Sequence, residues 1–212
     1  MKPQTLLTCG ALTLLSFAPA FAQTSSWEAP FTGADATGPN VVALWHLDSD
    51  APGKDASGHG HDLALRGKDT HYVPDGKFGG GLMVEEKAEP GDTRQGADTK
   101  NTADLNPKGA FTVELWFSPD AEQTSSDLKN AFAFLVDKKY YNYAKAIPQA
   151  NTGYLLGLHK SGATFTVEAQ LGFGTDSAIV TSQPQTFVAG QWYHLAFSYD
   201  GKGGVSCFLG NT

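Results

Sequence analysis

A seven-residue segment, Phe111–Phe117, constrains the fold of this chain most strongly, because its apolar residues recur at every second position. Its first, third, fifth and seventh residues are Phe, Val, Leu and Phe, and Thr112, Glu114 and Trp116 lie between them. Successive side chains of a β-strand point to opposite faces, so a strand of this kind buries one face against a core. The segments 165–171 and 193–199 repeat the pattern. The alternation therefore predicts antiparallel sheets that pack on a shared core.

Other short segments rich in Val, Phe, Tyr, Trp and Leu are separated by clusters of Gly, Asp, Asn and Pro. This spacing is typical of an all-β antiparallel sandwich. The sequence shows no helix pattern longer than two turns and no internal repeat of roughly 20 to 50 residues, which excludes propellers and solenoids. We predict strands near 41–48, 61–66, 80–85, 111–118, 131–137, 153–159, 163–171, 177–182, 192–199 and 205–209.

The N-terminus has the pattern of a cleavable signal peptide. Lys2 precedes an apolar run, Leu6–Phe17, and Ala20–Ala22 supplies the small residues of a cleavage site. The apolar run is shorter than the roughly 20 residues that a membrane-spanning helix needs. We therefore predict a signal peptide over 1–22, cleavage after Ala22, and a secreted, extracellular or periplasmic protein. Residues 23–40 are predicted to form an irregular linker before a single domain over 41–212.

Charge and cysteine content exclude several classes of partner and of scaffold. The formal net charge is −7 at pH 7, and the largest basic cluster is Lys138–Lys139. A nucleic-acid-binding surface needs a basic stripe, so DNA and RNA are not expected partners, and an anionic membrane is disfavoured for the same reason. Cys207 is the only cysteine after the predicted cleavage site. The domain is therefore not expected to depend on disulfides.

Five segments carry a resemblance to a known family, and they occur in the order typical of that family. They are Val42–Asp48, Asp55–Leu63, Gly76–Leu82, Phe111–Pro119 and Gln191–Gly201. On these segments the chain resembles the laminin G-like branch of the concanavalin A-like lectin/glucanase superfamily over about residues 40 to 212. The resemblance implies a two-sheet antiparallel jelly roll, used in secreted proteins to hold glycans or protein partners and often attached to another domain.

The C-terminus departs from the family pattern. After the turn at Gly201, the family continues into a Tyr-x-Asn-Gly hairpin and then into a closing Ile-Asp-Glu strand. Val205–Asn211 approximates the first of these with Gly-Asn in place of Asn-Gly, and the closing strand is not found. Loss of strands would leave backbone groups unpaired and an apolar face uncovered. We therefore expect a C-terminally truncated form of the domain.

Catalytic signals are weak. The glucanases of the superfamily place two carboxylates on one strand, in a Glu-x-Asp-x-x-Glu pattern, and this chain lacks that pattern. Glu85 and Glu86 would point to opposite faces of a strand, and Glu89 precedes Pro90 in a predicted turn. Glu114 lies mid-strand beside a tryptophan, but it has no partner carboxylate in its strand. We therefore predict no enzymatic activity, and a glycoside hydrolase remains the alternative.

Two metal sites are conceivable. His59 and His61 could hold a transition metal together with His71, although Ser57–Gly60 is better interpreted as a simple turn. The resemblance implies a structural calcium held by early loop oxygens and by an aspartate of the final strand. Asp48 and Asp55 approximate the early positions. Calcium at Asp48 and Asp55 is therefore a prediction that competes with an ordinary loop role for both residues.

The predicted ligand-binding residues follow the strand near 131–137 and comprise Tyr140, Tyr141, Asn142 and Tyr143. Aromatic rings pack on the C–H faces of sugars, and short polar side chains bind sugar hydroxyls. The alternative is that these tyrosines only cover the sheet edge. We therefore predict a secreted, non-catalytic module that binds carbohydrate or a surface protein within a larger protein. The alternatives are the hydrolase and a structural spacer that binds no small ligand.

Overall fold

The computed structural model describes residues 38–85, 95–121, 130–141, 151–174 and 177–211, all within one compact unit, Ala36–Thr212. The predicted signal peptide and most of the predicted linker lie outside the described residues. Every strand pairing in these ranges is antiparallel. The strands are β1 Ala64–Arg66, β2 Thr70–Val73, β3 Gly81–Val84, β4 Gly96–Asp98, β5 Phe111–Phe117, β6 Asn130–Asp137, β7 Tyr140–Tyr141, β8 Asn151–Ser161, β9 Thr164–Gly174, β10 Ser177–Thr181, β11 Tyr193–Tyr199 and β12 Val205–Asn211.

Two larger sheets form the sandwich. The front sheet has the order β10-β9-β8-β6, with β7 also paired to β8, and the back sheet has the order β12-β11-β5. Two ribbons, β1-β4 and β2-β3, complete the described strands. Within the described ranges no helix is long and apolar enough to cross a membrane. The all-β class predicted from the sequence is confirmed.

The core lies between the inner faces of the front and back sheets. Leu156 and Val167 of the front sheet and Leu195 and Phe197 of the back sheet are each at most 1% exposed. All four belong to a single cluster of buried side chains, which joins β5, β8, β9 and β11. Lys160 is also buried, and its ammonium lies 5.4 Å from the centroid of the Phe165 ring. The alternation predicted from the sequence is thus the pattern by which both sheets fill one core.

Phe187, in the connection between β10 and β11, links the two sheets at one end of this core. Its ring centroid lies 5.1 Å from that of Phe165 in the front sheet and 5.4 and 4.7 Å from those of Phe117 and Tyr193 in the back sheet. The Tyr193 hydroxyl accepts a hydrogen bond from the Val188 N–H at 2.9 Å, so the connection is also held by a polar contact. Aromatic pairs at these separations stabilise the packing by more than the burial of their apolar surface alone would.

The strand predicted over 41–48 is wrong. In the structure these residues make only an isolated bridge, between Trp45 and Asp55. The Leu44 N–H donates to the Asp55 carboxylate, and Leu47 has a φ of 62°, a left-handed conformation that no strand contains. The strand predicted over 61–66 begins only at Ala64 for a related reason, since the His61 N–H also donates to the Asp55 carboxylate. The strands β2, β4 and β7 were not predicted, and Tyr140 and Tyr141 of β7 had been expected in a loop.

Replacing Leu195 with alanine tests the core. Leu195 is fully buried, and the substitution removes methyl groups and leaves a cavity, so we expect the free energy of unfolding to fall by about 2–5 kcal/mol. Val188→Ala is the control, because the Val188 side chain is 59% exposed and its loss should change the stability by less than about 0.5 kcal/mol. Urea denaturation followed by tryptophan fluorescence measures both. Equal effects would contradict the assignment of Leu195 to the core.

Candidate ligand-binding face

The outer face of the front sheet carries side chains in three rows that cross the strands. The register of β6, β8, β9 and β10 sets these rows, because residues paired across neighbouring antiparallel strands lie on the same face. We call this surface the front face. Its first row is Phe132, His159 and Thr166, its second is Phe134, Gly157, Glu168 and Thr181, and its third is Asp137, Leu155, Gln170 and Ile179.

An aromatic pair occupies one side of the front face. The rings of Phe132 and Phe134 have centroids 4.8 Å apart, and the His159 ring lies 6.1 Å from that of Phe132. The Phe134 side chain is 62% exposed. A Cβ atom at Gly157 would lie 2.5 Å from Cε1 of Phe132, so the Phe132 ring packs directly over this glycine. Only glycine at position 157 leaves room for the ring in this position.

Polar side chains lie beside the aromatic pair. Glu168 is the cross-strand neighbour of Gly157, and Gln170 donates a hydrogen bond from its Nε2 to Glu168 Oε1. Both side chains are half-buried. The Gln170 amide thus holds the carboxylate of Glu168 close to the sheet surface. The front face therefore combines an apolar surface of two tilted aromatic rings with a hydrogen-bond acceptor of fixed position, which is the combination that the C–H faces and hydroxyls of a sugar require.

The predicted tyrosines lie at the end of the same sheet. Tyr140 and Tyr141 form β7, which pairs with residues 152 and 151 of β8. Asn142 and Tyr143 lie outside the described residues. The sequence pattern thus identified a segment that adjoins the front face but missed Phe132 and Phe134. Their signal was the Ala-Phe-Ala-Phe run in β6, in which Phe132 and Phe134 lie two residues apart and therefore share one face of the strand.

The Asp55 carboxylate, one of the two predicted calcium ligands, is enclosed by its own loop. Its Oδ1 accepts hydrogen bonds from the N–H groups of Leu44 at 3.0 Å and Ser57 at 2.9 Å. Its Oδ2 accepts from the Ser57 hydroxyl and the His61 N–H, both at 2.9 Å. Burial alone would raise the pKa of Asp55, but these four hydrogen bonds outweigh it and hold the pKa well below its usual range. Asp55 therefore organises the loop between residues 44 and 61.

Asp48, the other predicted calcium ligand, makes different contacts. Its Oδ1 accepts a long hydrogen bond of 3.4 Å from the Gly80 N–H, and its Oδ2 lies 3.9 Å from His46 Nδ1. Among the described residues, no three His, Cys, Asp or Glu side chains come together as a metal-binding group. A calcium ion at Asp55 would have to displace N–H donors that already satisfy its oxygens. Calcium at Asp48 and Asp55 stays a prediction.

The three histidines considered as metal ligands lie in different environments. His61 is buried, and its Nε2 lies 2.9 Å from Asp104 Oδ2. His59 is exposed, and its Nδ1 lies 3.1 Å from the Ser57 hydroxyl oxygen, while His71 is an exposed residue of β2. His61 and Asp104 form a structural pair. The His61 backbone carbonyl also accepts a hydrogen bond from Trp45 Nε1 at 2.7 Å, so Trp45 stabilises the loop between residues 44 and 61.

Comparison with known proteins identifies one match. A laminin G-like family model, described as the concanavalin A-like lectin/glucanases superfamily, matches residues 91–209. The match covers more than half of the chain and lies within the range over which the resemblance was predicted, so the resemblance is confirmed. No curated protein and no solved structure matches the chain.

Replacing Asp55 with asparagine tests the role of its carboxylate. An amide group would replace one carboxylate oxygen with an NH₂ donor and leave two of the four donors around Asp55 without an acceptor. We therefore expect the free energy of unfolding to fall by about 2–4 kcal/mol at pH 7. Because the pKa of Asp55 is lowered in the folded state, its stabilisation is complete above about pH 4 and is lost as the pH falls towards the folded-state pKa. The stability gap between wild type and Asp55→Asn should therefore narrow below pH 4 in urea titrations. Asp50→Asn, on an exposed turn, is the control. A gap that stays constant from pH 7 to pH 3 would contradict this role.

Proposed function

The chain belongs to the concanavalin A-like lectin/glucanases superfamily, and on that premise we propose that it is a secreted, non-catalytic module that binds carbohydrate on its front face. Proteins of this superfamily often bind carbohydrates or proteins. The apolar and polar groups of the front face favour carbohydrate. The proposal depends chiefly on the aromatic pair Phe132 and Phe134, of which Phe134 is exposed.

This pair supports the proposal because an exposed ring beside a second aromatic ring forms an apolar patch, and such patches mark candidate binding surfaces. Phe134 exposes 62% of its surface, although it is one of the most hydrophobic residue types. A sugar ring stacked on Phe134 would remove both its own C–H face and the phenyl ring from water. Phe132 is held against Gly157, so one wall of the surface is already in place before a ligand arrives. Pre-organised contacts lower the entropic cost of binding.

The polar groups would determine the orientation of the sugar. The Glu168 carboxylate accepts a hydrogen bond from Gln170 and can accept others from sugar hydroxyls. His159 and Thr166 extend the polar surface in the first row. Strands in a sheet are about 4.8 Å apart, so the rows from β6 to β10 span about 14 Å. That length suits a short oligosaccharide more than a single sugar.

The positions of two described glutamates, Glu168 and Glu114, favour binding without hydrolysis, whereas Glu86 and Glu89 lie outside the described residues. Glu168 lies on the front face, whereas Glu114 lies on the outer face of the back sheet with its side chain 65% exposed. The core separates the two faces. Glycoside hydrolysis needs two carboxyl groups about 5 to 9.5 Å apart that flank one glycosidic bond. Glu168 and Glu114 cannot flank one bond from opposite sides of the sandwich.

Secretion is part of the proposal and is supported by the sequence alone. The apolar run Leu6–Phe17 and the small residues Ala20–Ala22 direct the chain to an export pathway in this interpretation. The affinity of one exposed sheet face for sugars is expected to be modest. Linkage to further domains or repeated sites in one larger protein would raise the effective affinity.

Replacing Phe134 with alanine tests the proposed sugar-binding surface. The measurement is affinity electrophoresis through a panel of soluble polysaccharides. We expect the affinity derived from the retardation to fall about tenfold, since the stacking surface of one phenyl ring is lost. Phe208→Ala is the matched control, because Phe208 is a 47% exposed phenylalanine of the back sheet. Tyr141→Ala tests whether the binding surface extends to β7. Equal retention of wild type and Phe134→Ala on every polysaccharide that is bound would exclude the front face.

Release of reducing sugar separates binding from hydrolysis. The wild-type protein, incubated with every polysaccharide that it retains, is expected to release none above a protein-free blank. Release that Glu168→Gln abolishes would establish a hydrolase and overturn the non-catalytic proposal. If the protein is retained by no polysaccharide, the carbohydrate proposal fails, and a protein-binding or spacer role becomes the better interpretation.

A further inference from the structure

The outer face of the back sheet carries an aromatic group that the front face does not use. Trp116 of β5 is the cross-strand neighbour of His194 of β11, and their rings stack with centroids 5.0 Å apart and planes inclined by 27°. Phe78, from the connection between β2 and β3, meets Trp116 edge to face, with centroids 5.4 Å apart and planes at 89°. We call the two perpendicular rings of Phe78 and Trp116 the aromatic corner.

The chain places an ammonium group in this corner. The Lys77 Nζ atom lies 4.7 Å from the centroid of the Trp116 ring and 5.9 Å from that of Phe78. Both distances are within the range of about 6 Å in which the negative face of an aromatic ring attracts a cation. One cation therefore contacts two rings that stand at right angles. The contacts show that the corner has the size and electrostatics to hold a primary ammonium and its alkyl stem.

A carboxylate lies at the rim of the corner. Glu114 Oε2 is 3.5 Å from Nε2 of His194, which in turn stacks on Trp116. The Glu114 side chain is 65% exposed and Phe78 is 49% exposed, so both are accessible from solvent. A carboxylate beside an aromatic surface attracts cations from solution, and the net charge of −7 adds to this attraction. The rim therefore favours positively charged ligands over neutral or acidic ones.

We propose that the aromatic corner is a binding site for a primary alkylammonium group, of the kind that a lysine side chain of a partner protein carries. Lys77 is its resident occupant. A partner lysine takes the same place, with its ammonium on the Trp116 ring, its stem along Phe78 and Glu114 as the countercharge at the rim. The ligand and Lys77 compete for one position.

The backbone of the loop that carries Lys77 is held by contacts that do not involve the Lys77 side chain. The Gly76 N–H donates to the Gly79 carbonyl at 2.5 Å, which closes the loop across Lys77 and Phe78. A Cβ atom at Gly80 would lie 2.0 Å from the Leu47 carbonyl oxygen, so the base of the loop packs tightly against the backbone. The backbone on both sides of Lys77 is thereby held in place. A long lysine side chain can then change rotamer while Phe78 keeps its position on Trp116.

Removing the occupant tests the site. The probe is N-acetyl-lysine N-methylamide, and its neutral counterpart is N-acetyl-norleucine N-methylamide, which has an alkyl side chain but no ammonium. Chemical-shift changes of the Trp116 indole N–H report binding. Because the Lys77 ammonium occupies the position that the probe would take, Lys77→Ala should bind the lysine probe at least about two- to fivefold more tightly than wild type. The norleucine compound should shift neither protein.

Two further variants complete the test. Glu114→Gln, introduced into Lys77→Ala, should weaken binding of the lysine probe, and it leaves the fold intact because its side chain is exposed. Lys202→Ala removes an exposed lysine of the turn after β11 and should leave the affinity unchanged. The proposal is overturned if Lys77→Ala binds no tighter than wild type or if the norleucine compound binds equally well. Lys77 would then have a structural role in the corner, with no ligand competing for its place. This outcome would not bear on the proposed carbohydrate binding, because the experiment uses neither the front face nor a sugar.

Discussion

The packing of two sheets on one apolar core is the constraint from which the rest of this structure follows. Leu156 and Val167 on one side and Leu195 and Phe197 on the other must all leave water, and together they fix which alternate residues of each strand point inward. A shift of one residue in any of these strands would turn its apolar side chains to solvent. The inward residues of each strand therefore determine which residues lie on its outer face. The front face, and Trp116 in the aromatic corner, consist of residues that the core directs outward.

The sequence predicts the part of the fold that depends on local alternation. Phe111–Phe117 and Tyr193–Tyr199 lie where the pattern places them, since a buried strand face needs an apolar residue at every second position. Val41–Asp48 has an equally apolar composition but forms no strand. The difference arises from one distant side chain, because Asp55 takes the Leu44 N–H that a strand would have used. A side chain that competes for backbone donors cannot be recognised from the composition of the segment that it disrupts.

The candidate sites were less predictable than the fold, because each depends on contacts between distant segments. Phe132 lies over Gly157 only because β6 pairs with β8 in one register, with a bulge between Phe134 and Val136. No property of β6 alone indicates that register. The sequence places Trp116 between the apolar residues of its strand, and nothing near it indicates that Phe78 packs against its ring. The tyrosine segment was the clearest local signal, and it adjoins the front sheet, but nothing in it indicates Phe132 and Phe134.

The position of the two surfaces determines how they can act together. The front face and the aromatic corner lie on opposite outer faces of a sandwich whose sheets are about 10 Å apart. A single small ligand cannot contact Phe134 and Trp116 at once. Substitutions on the two faces should then have independent effects on binding, as for well-separated sites in general. Under both proposals, a glycan on the front face and a partner lysine at the aromatic corner would be connected through the sandwich without any change of conformation.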